Sequence, residues 1–221
     1  MTLPLFFLCG PDTDVPGRRA VCGWRCTPEG TLQGPGWTGQ ADALVFDDRA
    51  PLPDHPDRLA EDLLRQAEAM GAGVIVLDFE RPVGDSAQAL ARALAARVRT
   101  AAPLPFCVDG CEPIVCYQPV IQTFAEFLSA LPPKPCWAEL RPVEETVRYP
   151  AEDPPPGEGT FFSETLQCHY RAGAEDNALV LRLFDTSESF LQRLSLMEPC
   201  LTAAIGLHRE LERLGISVSS L

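Results

Sequence analysis

Gly73-Val74-Ile75-Val76-Leu77-Asp78-Phe79-Glu80 is the stretch on which the fold turns: five residues without a charge lead into two carboxylates. A short β-branched run of this kind predicts a strand buried on both faces, as in a parallel sheet under helices. Side chains alternate along a strand, so Asp78 and Glu80 share one side and Phe79 takes the other. In a barrel, both acids project at the carboxyl end of the strand, where such folds place their chemistry. Neighbouring carboxylates repel, so one of the pair holds its proton towards neutrality, as a general acid must. The plainer reading is an acidic strand end that pairs with Arg81 or caps the next helix.

Working outward, helix and strand signals alternate. Leu59, Leu63, Ala67 and Met70 keep helical spacing from about Asp57 to Met70, and Gly71 stops that helix. Leu5–Cys9, Ala43–Phe46, a run near Pro135–Leu140 and Leu201–Ile205 read as further strands. Asp85 or Ser86 opens an Ala- and Arg-rich helix through Thr100, and Phe106–Asp109 reads as a short strand closing on an acid. Ala20–Trp37 reads as a hairpin or long loop, and helices are expected at Val120–Leu131, Ser187–Met197 and Leu207–Leu214. Thr165–Arg171 and Ala178–Phe184 flank a six-residue connection and form a hairpin. The Pro-rich segment 149–159 is expected to be an exposed loop. Strand followed by helix, with about seven or eight candidate strands, predicts a compact (β/α)8 TIM barrel. At 221 residues the chain is shorter than the ~250 typical of that fold, so some helices must be abbreviated or missing. A single domain, 1–221, is the default for this length.

The net charge of −13 argues against nucleic acid and against an anionic membrane surface, since both need a basic patch. Leu3–Cys9 is broken by Pro4, is too short to span a membrane, and is preceded by no basic residue, so a cytoplasmic location is expected. Nine cysteines without an export signal read as mostly reduced thiols. Cys22-x3-Cys26 and Cys107-x3-Cys111-x4-Cys116 lack the CxxC knuckle, and His55, His169 and His208 lie far off, so neither metal nor other cofactor is expected.

Asp57–Glu80 and Gln167–Gly206 together resemble family-18 glycoside hydrolases, the chitinase-like barrels, and particularly their spore-cortex relatives. Asp78-Phe79-Glu80 fits the last three positions of that family's Asp-x-Asp-x-Glu strand ending. The Gln167–Gly206 hairpin, helix and strand is similar to its closing strands. The resemblance implies a barrel acting on an N-acetylated amino-sugar ligand such as a chitin or peptidoglycan fragment. Glu80 would be the general acid, and Asp78 would orient the acetamido group that serves as internal nucleophile. Val76 stands where the family has its first Asp, and Ile205–His208 offers only His208 where it has an aromatic floor. The nearest substitutes for its middle-strand Tyr-Asp pair are Tyr117 and the Trp137/Glu139 segment. Tyr117, Trp137, Glu139 and Asp185 make up the expected substrate-binding set, with Asp185 alternatively capping the helix at 187.

Other readings stay open. A carbohydrate-binding or scaffolding barrel would keep the fold without the chemistry. Asp47, Asp48, Asp78, Glu80, Asp109 and Asp185, all near strand ends, would suit a metal-dependent hydrolase. Ordinary retaining chemistry would pair Glu80 with Glu139 or Glu164. Trp24 and Trp37, in the Gly/Pro-rich entry region, either stack on a sugar or pack under a loop. Thiol titration of the denatured, unreduced protein is expected to find most of the nine cysteines reactive; three or more disulfides would contradict the reduced state.

Overall fold

The structure, a computed structural model, describes residues 3–11, 13–81, 84–132, 136–150 and 159–221. Its contacts divide the chain into two compact units. One runs to Val115 and takes back in the strand through Glu139 and the segment Leu201–His208; the other holds segments beginning at Cys116, Leu140 and Arg209.

In the first unit the strands are β1 (Leu5–Cys9), β2 (Arg18–Cys26), β3 (Leu32–Gln33), β4 (Ala43–Asp47), β5 (Val74–Asp78), β6 (Arg99–Pro103) and β7 (Glu112–Val115). β8 (Cys136–Leu140) and, much later in the chain, β13 (Leu201–Gly206) complete it. Their order is β1-β13-β8-β7-β6-β5-β4-β2, and β1 also pairs with β2, so eight parallel strands close into a barrel. The barrel expected from the sequence is the fold of this chain. β3 lies outside the ring as an antiparallel partner of the end of β2.

Alternation fills the ring. Phe6, Ala20, Ala43, Val45, Val74, Val76, Ala101, Ile114, Trp137, Ala203 and Ile205 form one buried cluster inside it. The alternate residues Leu44, Phe46, Ile75 and Leu77 face outward and are fully buried as well, which is why β4 and β5 read as unbroken apolar runs. Helix α1 (Asp57–Met70) ends as the sequence predicts, with Gly71 at φ 70° donating to the Ala67 and Glu68 carbonyls. Helix α2 (Asp85–Ala95) stops earlier than expected. Arg99–Pro103 is a strand whose Ala101 and Ala102 carry high helix propensity, and pairing in the ring overrides it. Phe106–Asp109 is not a strand: a 3-10 turn covers Leu104–Phe106, and the strand is the unforeseen Glu112–Val115. Ala20–Trp37 likewise holds barrel strand β2 before its hairpin.

The second unit carries β9 (Glu144–Pro150), β10 (Phe161–Ser163), β11 (Cys168–Glu175) and β12 (Ala178–Phe184) in the order β10-β11-β12-β9, all antiparallel. The hairpin connection is two residues, not six. Asp176 and Asn177 sit at φ 47° and 57°, the doubly left-handed turn that matches strand twist. Of the loop expected at 149–159, Tyr149 and Pro150 belong to β9, and 151–158 lie outside the described residues. Helix α3 (Phe124–Ser129) starts at a Thr123–Glu126 capping box, and α4 (Ser187–Met197) at one formed by Thr186 and Ser189. A last short helix, α5, covers His208–Arg213. Among the described residues no helix is long and apolar enough to cross a membrane.

Arg193 and Asp185 form a buried ion pair within this unit, their side chains 6% and 0% exposed. Asp185 also accepts from the Val143 N–H at 2.7 Å and the Ser189 hydroxyl at 2.9 Å, so its oxygens are saturated. Arg193→Ala would leave that carboxylate uncompensated, and chemical denaturation should register a loss of about 3–5 kcal/mol.

Candidate active site at the barrel mouth

The alternation that sends Val74 and Val76 into the barrel carries on to Asp78 at the end of β5, and to Glu80 beyond it. Phe79, on the opposite side, is 2% exposed and anchors the turn, while Asp78 and Glu80 stand in solvent at the rim. Asp47 closes β4 as Asp78 closes β5, and the two are register partners on adjacent parallel strands. Glu139 follows the inward-facing Trp137 by two residues, so it rises from β8 to the same rim. The barrel mouth is therefore ringed by carboxylates.

The backbone after β5 is held by Asp48. This residue is 8% exposed, and its two carboxylate oxygens accept the Glu80 N–H at 3.0 Å and the Arg81 N–H at 3.2 Å. Arg81 does not neutralise Glu80; its guanidinium donates to the Arg49 carbonyl. Arg49 itself sits 3.6 Å from Asp47. Among the described residues no cation pairs with Asp78 or Glu80. Partial burial raises the Asp78 pKa above its ordinary 3.8, and the charges of Glu80, Asp47, Glu139 and Asp48 push it further. The nearby Cys22 thiol, inward on β2, is pushed up to about 12, first by burial and then by Cys9 and Asp78. The arrangement can hold a proton on a carboxyl and present a second carboxyl beside it.

The other expected residues are placed differently. Trp137 is fully buried inside the barrel, stacked on Phe6 at 4.8 Å, with Arg99 over its ring at 5.1 Å and its N–H on Glu112 at 2.7 Å. That leaves Trp137 no ring face for a sugar, because the barrel interior has to be filled. Tyr117, in the second unit, donates its hydroxyl to the Leu166 carbonyl at 2.9 Å and packs on Phe124 and Phe127. Asp185 belongs to the buried Arg193 pair and leaves the cap of α4 to Thr186. His208 packs edge-on against Phe7 at 5.4 Å. The structure thus gathers Asp78, Glu80 and Glu139 at one rim, while Tyr117 and Asp185 are engaged within the second unit. Among the described residues no three of His, Cys, Asp and Glu converge as metal ligands. Asp47 and Asp48 entered the sequence reading only as members of an acidic ring. The signal for their role was the apolar run Ala43–Phe46 ending in acid, as Val74–Leu77 does.

No family model matches this chain, and no curated protein matches it either. Solved structures do. The spore cortex-lytic enzyme SleL of Bacillus cereus superimposes with a TM-score of 0.59 at 13% identity, over 96% of this chain and 74% of its own. The class V chitinase of Nicotiana tobaccum, solved in complex with NAG4, gives 0.57 at 8% identity over 95% and 94%. A chitinase of Chromobacterium violaceum gives 0.57 at 10% identity over 93% of each chain. At such identities the likeness is one of fold: a chitinase-like TIM barrel.

A carboxyl whose folded pKa is raised favours the fold fully below its unfolded value, and that contribution is lost as pH rises through the folded value. Ionised Asp78 therefore works against the folded state at neutral pH. Asp78→Asn is expected to raise Tm at pH 7 by a few degrees at most, with the gain vanishing below the ordinary carboxyl value of 3.8; scanning Tm of both proteins against pH checks this.

Proposed function

We propose that this barrel is a glycoside hydrolase acting on N-acetylated amino-sugar polymers or fragments, with Glu80 as general acid and Asp78 as the supporting carboxylate. The observation that carries this reading is the pair itself. Asp78 and Glu80 follow the inward side of β5 to the carboxyl end of a chitinase-like barrel, and the Asp78 carboxyl has its pKa raised by partial burial and then by the acids around it. Glu80, its backbone fixed by Asp48, would deliver the proton to the glycosidic oxygen as the leaving group departs. Asp78 would accept the acetamido N–H with a carboxylate oxygen and so orient the acetamido carbonyl oxygen for attack at the anomeric carbon. This route needs no nucleophilic side chain. Glu139, on the same rim, would contact substrate. The cytoplasmic location expected from the sequence belongs to the same proposal, as does a carbohydrate ligand.

A second reading, a barrel that binds such sugars without cleaving them, is favoured by one observation. Val76 stands where the chitinase-like pattern has a further Asp, and its side chain is packed in the apolar interior. Position 76 therefore gives Asp78 no carboxyl partner inside the barrel, although Asp47 lies beside it across the strands.

Turnover of N-acetylglucosamine oligomers separates the two. Glu80→Gln is expected to lower the rate by about 10²–10⁴-fold with unchanged circular dichroism and Tm. Wild-type binding without turnover, weakened by Asp78→Asn, would establish the second reading.

A further inference from the structure

Outside the mouth, the first unit has a groove of about 440 Å³ that the chemistry above does not use. Trp24 of β2, Leu32 of β3, and Gly34, Gly36 and Trp37 of the segment after it line one side, and Asp62, Arg65 and Gln66 of α1 the other. An irregularity in β2 creates it. The register between β2 and β4 shifts between Val21 and Trp24, with Gly23 at φ 96°, a conformation suited to glycine. Ala20 and Cys22 face the barrel interior, but after the shift Trp24 pairs with outward-facing Phe46. The groove therefore opens on the outer wall, on the other side of the sheet from Asp78 and Glu80.

Its lining is held in place before any ligand arrives. Gly34 lies so close on the Trp24 ring that a Cβ there would come within 2.4 Å of it. The Trp37 indole N–H donates to the Gly39 carbonyl at 2.7 Å, and Gly39 backs the ring at its nitrogen edge. Asp62 and Arg65, one turn apart on α1, pair at 3.0 Å, so the polar wall has hydrogen-bonding groups but little net charge. Trp24 is 5% exposed, yet its indole N–H meets no acceptor among the described residues.

We propose that this groove is a second carbohydrate site, taking a pyranose unit of a neutral oligosaccharide. The ligand must offer an apolar face to an indole and a rim of donors and acceptors to an Asp, an Arg and a Gln; a sugar ring has both. An anionic ligand is disfavoured, because Arg65, the cation among the described residues lining the groove, is already paired with Asp62 and the whole chain carries −13. A purely apolar ligand would strand the polar wall without partners. The volume suits one or two rings, within the ~300–1,000 Å³ usual for small-molecule sites. This site does not depend on catalysis at the mouth.

Two of the three tryptophans line the groove and the third, Trp137, is buried in the barrel, so indole emission reports on it. Titration with N-acetylglucosamine tetramer and with cellotetraose should give a saturable emission change in the wild type, and the same change in Glu80→Gln. Trp37→Ala should weaken binding, followed by calorimetry, about tenfold, and Gln66→Ala several-fold, with circular dichroism confirming that both variants are folded. Gln66 is the cleaner test, since its loss leaves the aromatic packing in place. Absence of saturable binding of either sugar to the folded wild type would overturn the proposal. So would undiminished affinity in Gln66→Ala and Trp37→Ala, or binding lost in Glu80→Gln and kept in Trp37→Ala, which would assign the sugar to the mouth. Failure of Glu80→Gln to affect turnover would instead count against the general-acid reading alone.

Discussion

A closed parallel barrel must be filled from the inside, and in this chain the filling rests on the contact between Phe6 and Trp137. The two rings stack at 4.8 Å across the interior. Around them the wall contributes the small residues Ala20, Ala43, Ala101 and Ala203 and the β-branched Val45, Val74, Val76, Ile114 and Ile205. Large and small side chains complement one another, as close packing requires. The polar edge of Trp137 is accommodated at one end. Its N–H reaches Glu112, which also takes a bidentate contact from Arg99 and the Thr202 hydroxyl at 2.8 Å. These bonds hold the Glu112 pKa below its ordinary value although burial works the other way. Four strands are thereby tied together: Arg99 from β6, Glu112 from β7, Trp137 from β8 and Thr202 from β13.

The opposite end of the same barrel is built on repulsion. Parallel strands in register deliver their last residues to one level, and here β4 and β5 both end in Asp. The charge that would oppose folding is partly offset by the protein backbone: Asp48 spends its oxygens on two N–H groups that the chain needs satisfied as it leaves β5. Asp78 has no such partner, so partial burial, and after it the field of its acidic neighbours, raises its pKa. Strain at the rim and cohesion at the base follow from one geometry, since alternation decides which side chains meet in both places. A site that stores unfavourable electrostatics needs a well-packed support beneath it.

Much of this was legible in the chain. Residues 57–80 announce a helix, a glycine stop and a doubly buried strand ending in two acids, because local propensity, capping and period-two alternation all agree there. Leu5–Cys9 and Ser187–Met197 were equally plain. Legibility failed where the local signal was weak or pointed elsewhere. Ala101 and Ala102 favour helix by propensity and are strand only because neighbours on both sides offer hydrogen bonds. Glu112–Val115 is four residues long and contains a proline. Its place in the ring comes from closure, to which no local pattern testifies.

By itself the sequence determined the period of the elements, the side of β5 on which Asp78 and Glu80 fall, and the acidic character of the chain. Those are properties of short windows and of summed charge. Only the tertiary structure decided what each polar or aromatic group faces. It put Asp47 beside Asp78 and set Asp48 under Glu80, contacts between residues about thirty positions apart that strand pairing alone creates. It buried Trp137 as barrel filling, bound Asp185 to Arg193, and turned Trp24 to the outer wall through one bulge in β2. Partners of this kind are set by register and closure, which depend on the whole chain folding at once.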